Sequence, residues 1–198
     1  MKLLAVSDLH CHERSSRALV ERSVDADVVI VAGDLAKVHK GLEKTIGWLR
    51  QIETPTILVP GNNETDEALR EACAGWAAAT VLHSESVEIG GVEFFGLGAG
   101  IPTTPWDWSF DLTEEEAERE LAALPETGVL VLHSPPLGHC DRRLGGESVG
   151  SSAIAAAIER AQPRLAVCGH IHESWGERSK IGETPVANLG PEGDWFEI

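Results

Sequence analysis

Long apolar runs are missing from this sequence. No stretch approaches the roughly 20 residues that a membrane span requires, so no transmembrane segment and no membrane partner are expected. A charged-then-apolar leader with a cleavage site is missing too. The first residues run directly into strand-like sequence, and a cytoplasmic location is expected. Cysteine is scarce: Cys11, Cys73, Cys140 and Cys168 are the four, with no Cys-x-x-Cys pair. A chain of this size needs no staples, so free thiols are expected. Cys73 and Cys168 sit among apolar residues and belong in the core; Cys11 and Cys140 lie beside histidines and can line a site. Lysine is scarce as well, five residues among 16 bases against 32 acids, for a net charge of -16. A surface this acidic repels duplex nucleic acid and other long polyanions. A small phosphate ester is tolerated where bound cations reverse the local field. Repeats, low-complexity tracts and linkers are absent, and 42% hydrophobic residues can fill a core. Residues 1–198 therefore read as one domain.

What is present is a run of short buried strands alternating with amphipathic helices. Residues 2–7, 27–32, 56–59, 129–132 and 165–168 are apolar runs, as expected of strands covered on both faces. Helices are predicted from Ser15 or Ser16 to Arg22, over 41–52, over 65–74, from a capping box at 113–116 to about Leu124, and from Ser151 or Ser152 to Ala161. Residues 87–94 alternate around Gly90-Gly91, which signals a hairpin. Residues 98–111 and 135–150 read as loops, and the tail after Glu173 as short strands around Gly182 and Gly193. The pattern is α/β, with early βαβ units and a mixed second half.

The polar residues that stand out all follow strands: Asp8 with His10, Asp34, Asn62, His133, and His170 with His172. Ligand sites in such sheets lie at the carboxyl ends of strands. If the first strand continues to His10, Asp8 and His10 point the same way, since side chains two apart in a strand share a face. Singly, each residue has an ordinary explanation; an Asn after Gly61, for example, is common turn chemistry. Together they offer four imidazoles, two carboxylates and one amide. That exceeds one tetrahedral zinc and suits two divalent ions sharing a carboxylate.

The blocks Asp8-Leu9-His10, Gly33-Asp34, Gly61-Asn62-Asn63-Glu64, His133 and Gly169-His170-Ile171-His172 resemble the calcineurin-like metallophosphoesterase signature in order and spacing. The stretches His133–Gly138 and Cys168–Glu173 further resemble its Icc-like and MPPED-type (UPF0046-type) branch. The resemblance implies a four-layer α/β/β/α sandwich with two mixed sheets and a two-metal centre. Asp8, His10 and His172 would hold one metal; Asn62, His133 and His170 would hold the other; Asp34 would bridge. Manganese, iron, nickel or zinc would serve. The implied chemistry is hydrolysis of small phosphoesters, with phosphodiesters, nucleotides or cyclic nucleotides as the leading class, by attack of hydroxide held between the metals.

The third block departs from the family pattern. The histidine that usually protonates the leaving oxygen is replaced by Asn63, which can donate a hydrogen bond to phosphoryl oxygens but cannot deliver a proton. Losing a general acid costs about 10²–10⁴-fold. His12 and His139 are candidate replacements; His39 and His83 read as surface residues. Glu64 would hydrogen-bond Asn63 or sit near a helix start. Trp106 and Trp108 are candidate walls for a nucleobase, or pins that hold their loop to the core. Arg142 and Arg143 are candidate phosphate or carboxylate contacts, and Gly150-Ser151-Ser152 could cradle an anion at a helix start. The rival readings are a catalytically weak nucleotide- or protein-binding member of the same fold, and a phosphomonoesterase.

Overall fold

The central strands are apolar at nearly every position because each of their two faces serves a different core. The computed structural model describes residues 1–126 and 128–198. One sheet holds β1 (Lys2–Val6), β2 (Val28–Ala32), β3 (Thr56–Val59), β4 (Ala79–Val81) and β11 (Asp194–Glu197), in the order β11-β1-β2-β3-β4. β1 to β4 are parallel, and β11 runs antiparallel along β1. The other sheet holds β5 (Glu85–Ile89), β6 (Val92–Leu97), β7 (Val129–Leu132), β8 (Leu165–Cys168), β9 (Arg178–Ile181) and β10 (Thr184–Asn188), in the order β5-β6-β7-β8-β10-β9. Its parallel centre, β6-β7-β8-β10, is flanked by antiparallel β5 and β9.

Leu3, Ala5, Val28, Ile30, Ile57 and Val59 turn toward Phe94, Val129, Val131 and Val167 of the facing sheet. The alternate residues Leu4, Val6, Val29, Val31 and Leu58 pack beneath α1 (Glu13–Ser23), α2 (Leu42–Leu49) and α3 (Asp66–Cys73). Phe95, Leu97, Leu130 and Leu132 on the far side of the second sheet meet α4 (Glu114–Glu120) and α5 (Ser152–Ala161). The result is a four-layer α/β/β/α sandwich with two mixed sheets, the expected fold class. Each fully buried Leu or Ile in these cores contributes about 1.5–3 kcal/mol. That apolar middle layer lets the strand ends carry polar groups.

Several local expectations change. β4 follows no strong apolar run and is set by pairing with β3. α1 begins at Glu13, so Ser15 and Ser16 lie inside it, buried. α2 is confined to Leu42–Leu49, shorter at both ends than its apolar spacing suggests. The hairpin forms with Gly90 and Gly91 both at positive φ, as a two-residue type I′ turn demands. The capping box at Thr113 and Glu116 is complete.

The start of α5 is not an open anion cradle. Ser151 caps it by accepting from Ile154 N–H, and the Glu114 carboxylate accepts from Ser151 Oγ at 2.9 Å, Ser152 N at 3.0 Å and Ala153 N at 2.8 Å. The anion favoured at that helix start is thus the chain's own. Glu114→Ala is expected to lower folding stability by about 1–2 kcal/mol, read as a lower urea midpoint. An unchanged midpoint would show that water replaces the carboxylate at no cost.

Candidate metal centre

Asp8, Asp34 and Asn62 follow the adjacent strands β1, β2 and β3, while His133 and His170 follow β7 and β8 of the facing sheet. All five come together at one end of the sandwich. Asp8 and His10 converge, but not by strand alternation. β1 stops at Val6, and Asp8, His10 and Cys11 have φ of 54°, 41° and 60°. Asp34 and His170 are also left-handed, at 57° and 68°. Such conformations are uncommon outside glycine and cluster where function holds them. Each turns the chain sharply off its strand. A Cβ on Gly61 would overlap Asp34 Oδ1, so the chain after β3 can approach that carboxylate only as glycine.

His10 Nε2 lies 3.3 Å from His172 Nε2 and 3.4 Å from Asp34 Oδ2. His172 Nε2 lies 3.7 Å from Asp8 Oδ1. On the other side, His133 Nε2 lies 3.5 Å from Asp34 Oδ1 and 3.3 Å from Asn62 Oδ1. Asp34 therefore turns one oxygen to each group. The ring of His170 packs edge-on against His133, with centroids 4.9 Å apart. The tightest carboxylate–imidazole sets are Asp8 with His10 and His172, and Asp8 with Asp34 and His133, each within 4.8 Å. Donors bonded to one ion at about 2.0–2.2 Å sit roughly 3–3.5 Å from one another, close to these separations. Nδ1 of His10 and of His133 bonds the carbonyls of Ala36 and Ala32, each at 3.0 Å. That places the N–H on Nδ1 and turns a lone pair on Nε2 inward.

The electrostatics match a cation site. Asp8 and Asp34 are 2% exposed, and their ion-pair partners among the described residues are imidazoles, with no Lys or Arg. Buried carboxylates this poorly compensated are costly unless a cation joins them. Burial works to raise the Asp8 carboxyl, yet its hydrogen bond with His172, the charge of His133 and the Ser7 hydroxyl hold it well below the usual range. Burial, then the charge of His133, pushes His170 down to about 3, leaving the neutral imidazole a metal needs. Burial opposes charge on His133, but Asp34 and Asp8 outweigh it and raise its pKa. His172 is raised by its hydrogen bond with Asp8.

Asn63 is 7% exposed and turned inward. Its Nδ2 donates to Asp34 Oδ2 at 2.7 Å and to Asn62 Oδ1 at 3.3 Å, and its Oδ1 accepts from Val38 N at 2.8 Å. The amide is engaged with Asp34 and Asn62 instead of reaching outward. Glu64 neither bonds Asn63 nor opens α3. It accepts from Leu35 N, Ala36 N and Gly61 N, tying the turns after β2 and β3 together. Burial, then the charge of Asp34, raises its pKa to about 7.

The remaining candidates lie farther out. His12 is exposed before α1, its Nδ1 paired with Ser15 Oγ at 2.9 Å. His139 pairs with Ser179 Oγ of β9 at 2.7 Å. Trp106 and Trp108 do not pin their loop to the core; they stack on each other, 5.5 Å apart, with Trp106 46% exposed. Arg142 and Arg143 are exposed on a small bridged loop. Cys140 is buried and Cys11 half-buried, its thiol pointing at the Leu35 and Lys40 carbonyls. His39 is a surface residue that bonds the Trp108 carbonyl. His83 is not: it packs on Phe110, and burial lowers its pKa.

Three supporting residues escaped the sequence reading. Ser109 accepts from Asn62 Nδ2 at 2.8 Å and donates to Asp111 at 2.6 Å, which leaves Asn62 Oδ1 facing His133. Trp175 donates to Asp8 from 167 positions away. Nothing local in the sequence marks any of the three; only the fold brings them to the candidate ligands.

The sequence pattern of the calcineurin-like phosphoesterase superfamily domain matches residues 1–196. An uncharacterized protein of Methanocaldococcus jannaschii is 31% identical over 96% of this chain and 88% of its own length. A UPF0046 protein of Caenorhabditis elegans is 30% identical over 95% of this chain and 69% of its own, in line with the branch expected from the His133 and Gly169 blocks. The crystal structure of TT1561 from Thermus thermophilus superposes with a TM-score of 0.75 at 19% identity, covering 96% of this chain and 90% of that one. That likeness concerns the fold.

Glu64→Ala would leave three buried N–H groups without an acceptor, at about 1–3 kcal/mol each. Relief from burying the carboxylate offsets part of this. A net loss of about 2–4 kcal/mol is expected in urea unfolding; a loss under about 0.5 kcal/mol would show that Glu64 does not hold the two turns.

Proposed function

We propose that this chain, which belongs to the calcineurin-like phosphoesterase superfamily, is a metal-dependent phosphoesterase acting on small phosphodiesters, nucleotides and cyclic nucleotides among them. The observation that carries this reading is the pair of buried carboxylates, Asp8 and Asp34, which among the described residues meet imidazole, amide, hydroxyl and indole groups but no Lys or Arg, with the imidazoles at spacings suited to divalent ions. Asp8, His10 and His172 would hold one ion, Asn62, His133 and His170 the other, with Asp34 between them. Manganese is the first choice, and iron, nickel or zinc suit the same mixed nitrogen and oxygen set. When bound, the ions supply an activated water for in-line attack and neutralise charge on the phosphoryl group. A cytoplasmic location belongs to the same proposal.

The chain's own residues set the preference among esters. Asn63 holds Asp34 and Asn62 in place but carries no proton to give. His12 and His139 are each paired with a serine, and either would have to release it to protonate a leaving oxygen. A strained cyclic or aryl-like diester needs little such help, which favours diesters over alkyl monoesters. The exposed face of Trp106, stacked on Trp108, would receive a nucleobase. Arg142 and Arg143, exposed on their own loop, would meet a phosphate or carboxylate.

Manganese-loaded protein is expected to hydrolyse bis-p-nitrophenyl phosphate faster than p-nitrophenyl phosphate. Two bound ions with no turnover of either ester would favour the binding-protein alternative. Asn63→His is expected to raise the monoester rate about 10²-fold or more; an unchanged monoester rate would remove the argument about the missing acid.

A further inference from the structure

Asp8 Oδ2 receives hydrogen bonds from Ser7 Oγ at 2.5 Å, Trp175 Nε1 at 3.0 Å and His170 N at 3.2 Å. The other oxygen, Oδ1, is the one nearest His172 Nε2. His170 N lies equally far from Oδ1, at 3.2 Å, but the Ser7 and Trp175 bonds fall on Oδ2 alone, and they turn Oδ1 toward His172 and the candidate ion. Ser7 and the backbone of His170 are fixed by the chain itself, and Ser7 Oγ is held further by Gly190 N–H at 2.9 Å. Trp175 is the one side chain that reaches in from a separate segment. Its indole does two things at once. The N–H bonds Asp8, and the ring face lies on the imidazole of His172, with centroids 4.3 Å apart and planes 32° from parallel. His172 is itself half-exposed and opens a single 3₁₀ turn after β8; its Nε2 meets His10 and Asp8, while the face of its ring rests on Trp175. Trp175 is 38% exposed. A tryptophan used only for packing would bury its ring and need no carboxylate partner.

We infer that Trp175 is a positioning residue for the ion held by Asp8, His10 and His172, orienting one ligand by hydrogen bond and the other by ring contact. This rests on the two-ion reading above. Partners that orient metal ligands from behind typically contribute 10–100-fold in affinity. The contribution should fall on one ion only, because the hydrogen bond and the ring contact of Trp175 go to Asp8 and His172.

The test is titration of demetallated protein with manganese alone, followed by calorimetry, for wild type, Trp175→Phe and Trp175→Ala. Trp175→Phe keeps an aromatic face for His172 and removes the N–H. Wild type is expected to bind two ions. Trp175→Phe should bind one of them about 10-fold or more weaker and the other unchanged, and Trp175→Ala should weaken the same ion further. A residue that merely supports the fold would lower the melting temperature of the metal-free protein without separating the two affinities. Wild-type affinity for both ions in Trp175→Phe would overturn the inference and leave the two-ion reading standing. Wild type binding no manganese would overturn that reading instead, and this inference with it. Failure of both variants to fold without metal would make Trp175 a core residue and also overturn it.

Discussion

The structure depends on two carboxylates kept out of water with no permanent cation beside them. Asp8 and Asp34 sit where the ends of two sheets meet, and the groups facing them among the described residues are imidazoles, amides, a hydroxyl and an indole. Such charges are costly to bury. Their cost is spread over a dense set of hydrogen bonds, many from backbone N–H groups: His170 N to Asp8, and Asn63 N to Asp34 at 2.9 Å. What the bonds do not supply is net positive charge. A pocket built this way gains most from a divalent ion, and its acidic surroundings make cations, not anions, the natural first visitors.

The sandwich makes this arrangement possible by putting its strength elsewhere. Three apolar layers, two beneath helices and one between the sheets, pack the hydrogen-bonded strands in place. The strand ends are then free to adopt left-handed turns at Asp8, His10, Asp34 and His170. Glu64 ties the turn after β2 to the turn after β3 by backbone bonds. Asn188 ties the turn after β8 by donating to the carbonyls of Gly169 and Ile171. Rigid strands and braced turns together hold the imidazoles at fixed separations.

Much of this was legible in the residues alone, for a physical reason. A strand buried on both faces must be apolar throughout, so the first polar residue after it is conspicuous, as at Asp8, Asp34 and His133. The reason offered for the convergence of Asp8 and His10 was nevertheless wrong, since strand alternation ends before either is reached. β4 was missed because its three residues are strand only by virtue of β3. Glu64, Ser109 and Trp175 were not legible in their roles because a hydrogen bond to a distant segment leaves no periodic trace. Trp106 and Trp108 were visible as aromatic, but only coordinates reveal that they stack on each other at the surface.

Gly61 and Gly169 press their backbones against Asp34 and Asp8 so closely that any side chain would strike one of the two carboxylates. The floor of the pocket is thus main chain, and it offers evolution nothing to vary. Room to change what such a protein recognises lies instead in loops 98–111 and 135–150, where Trp106 and Arg143 are exposed. An engineer reshaping its selectivity would face the same division between an inherited floor and an adaptable rim.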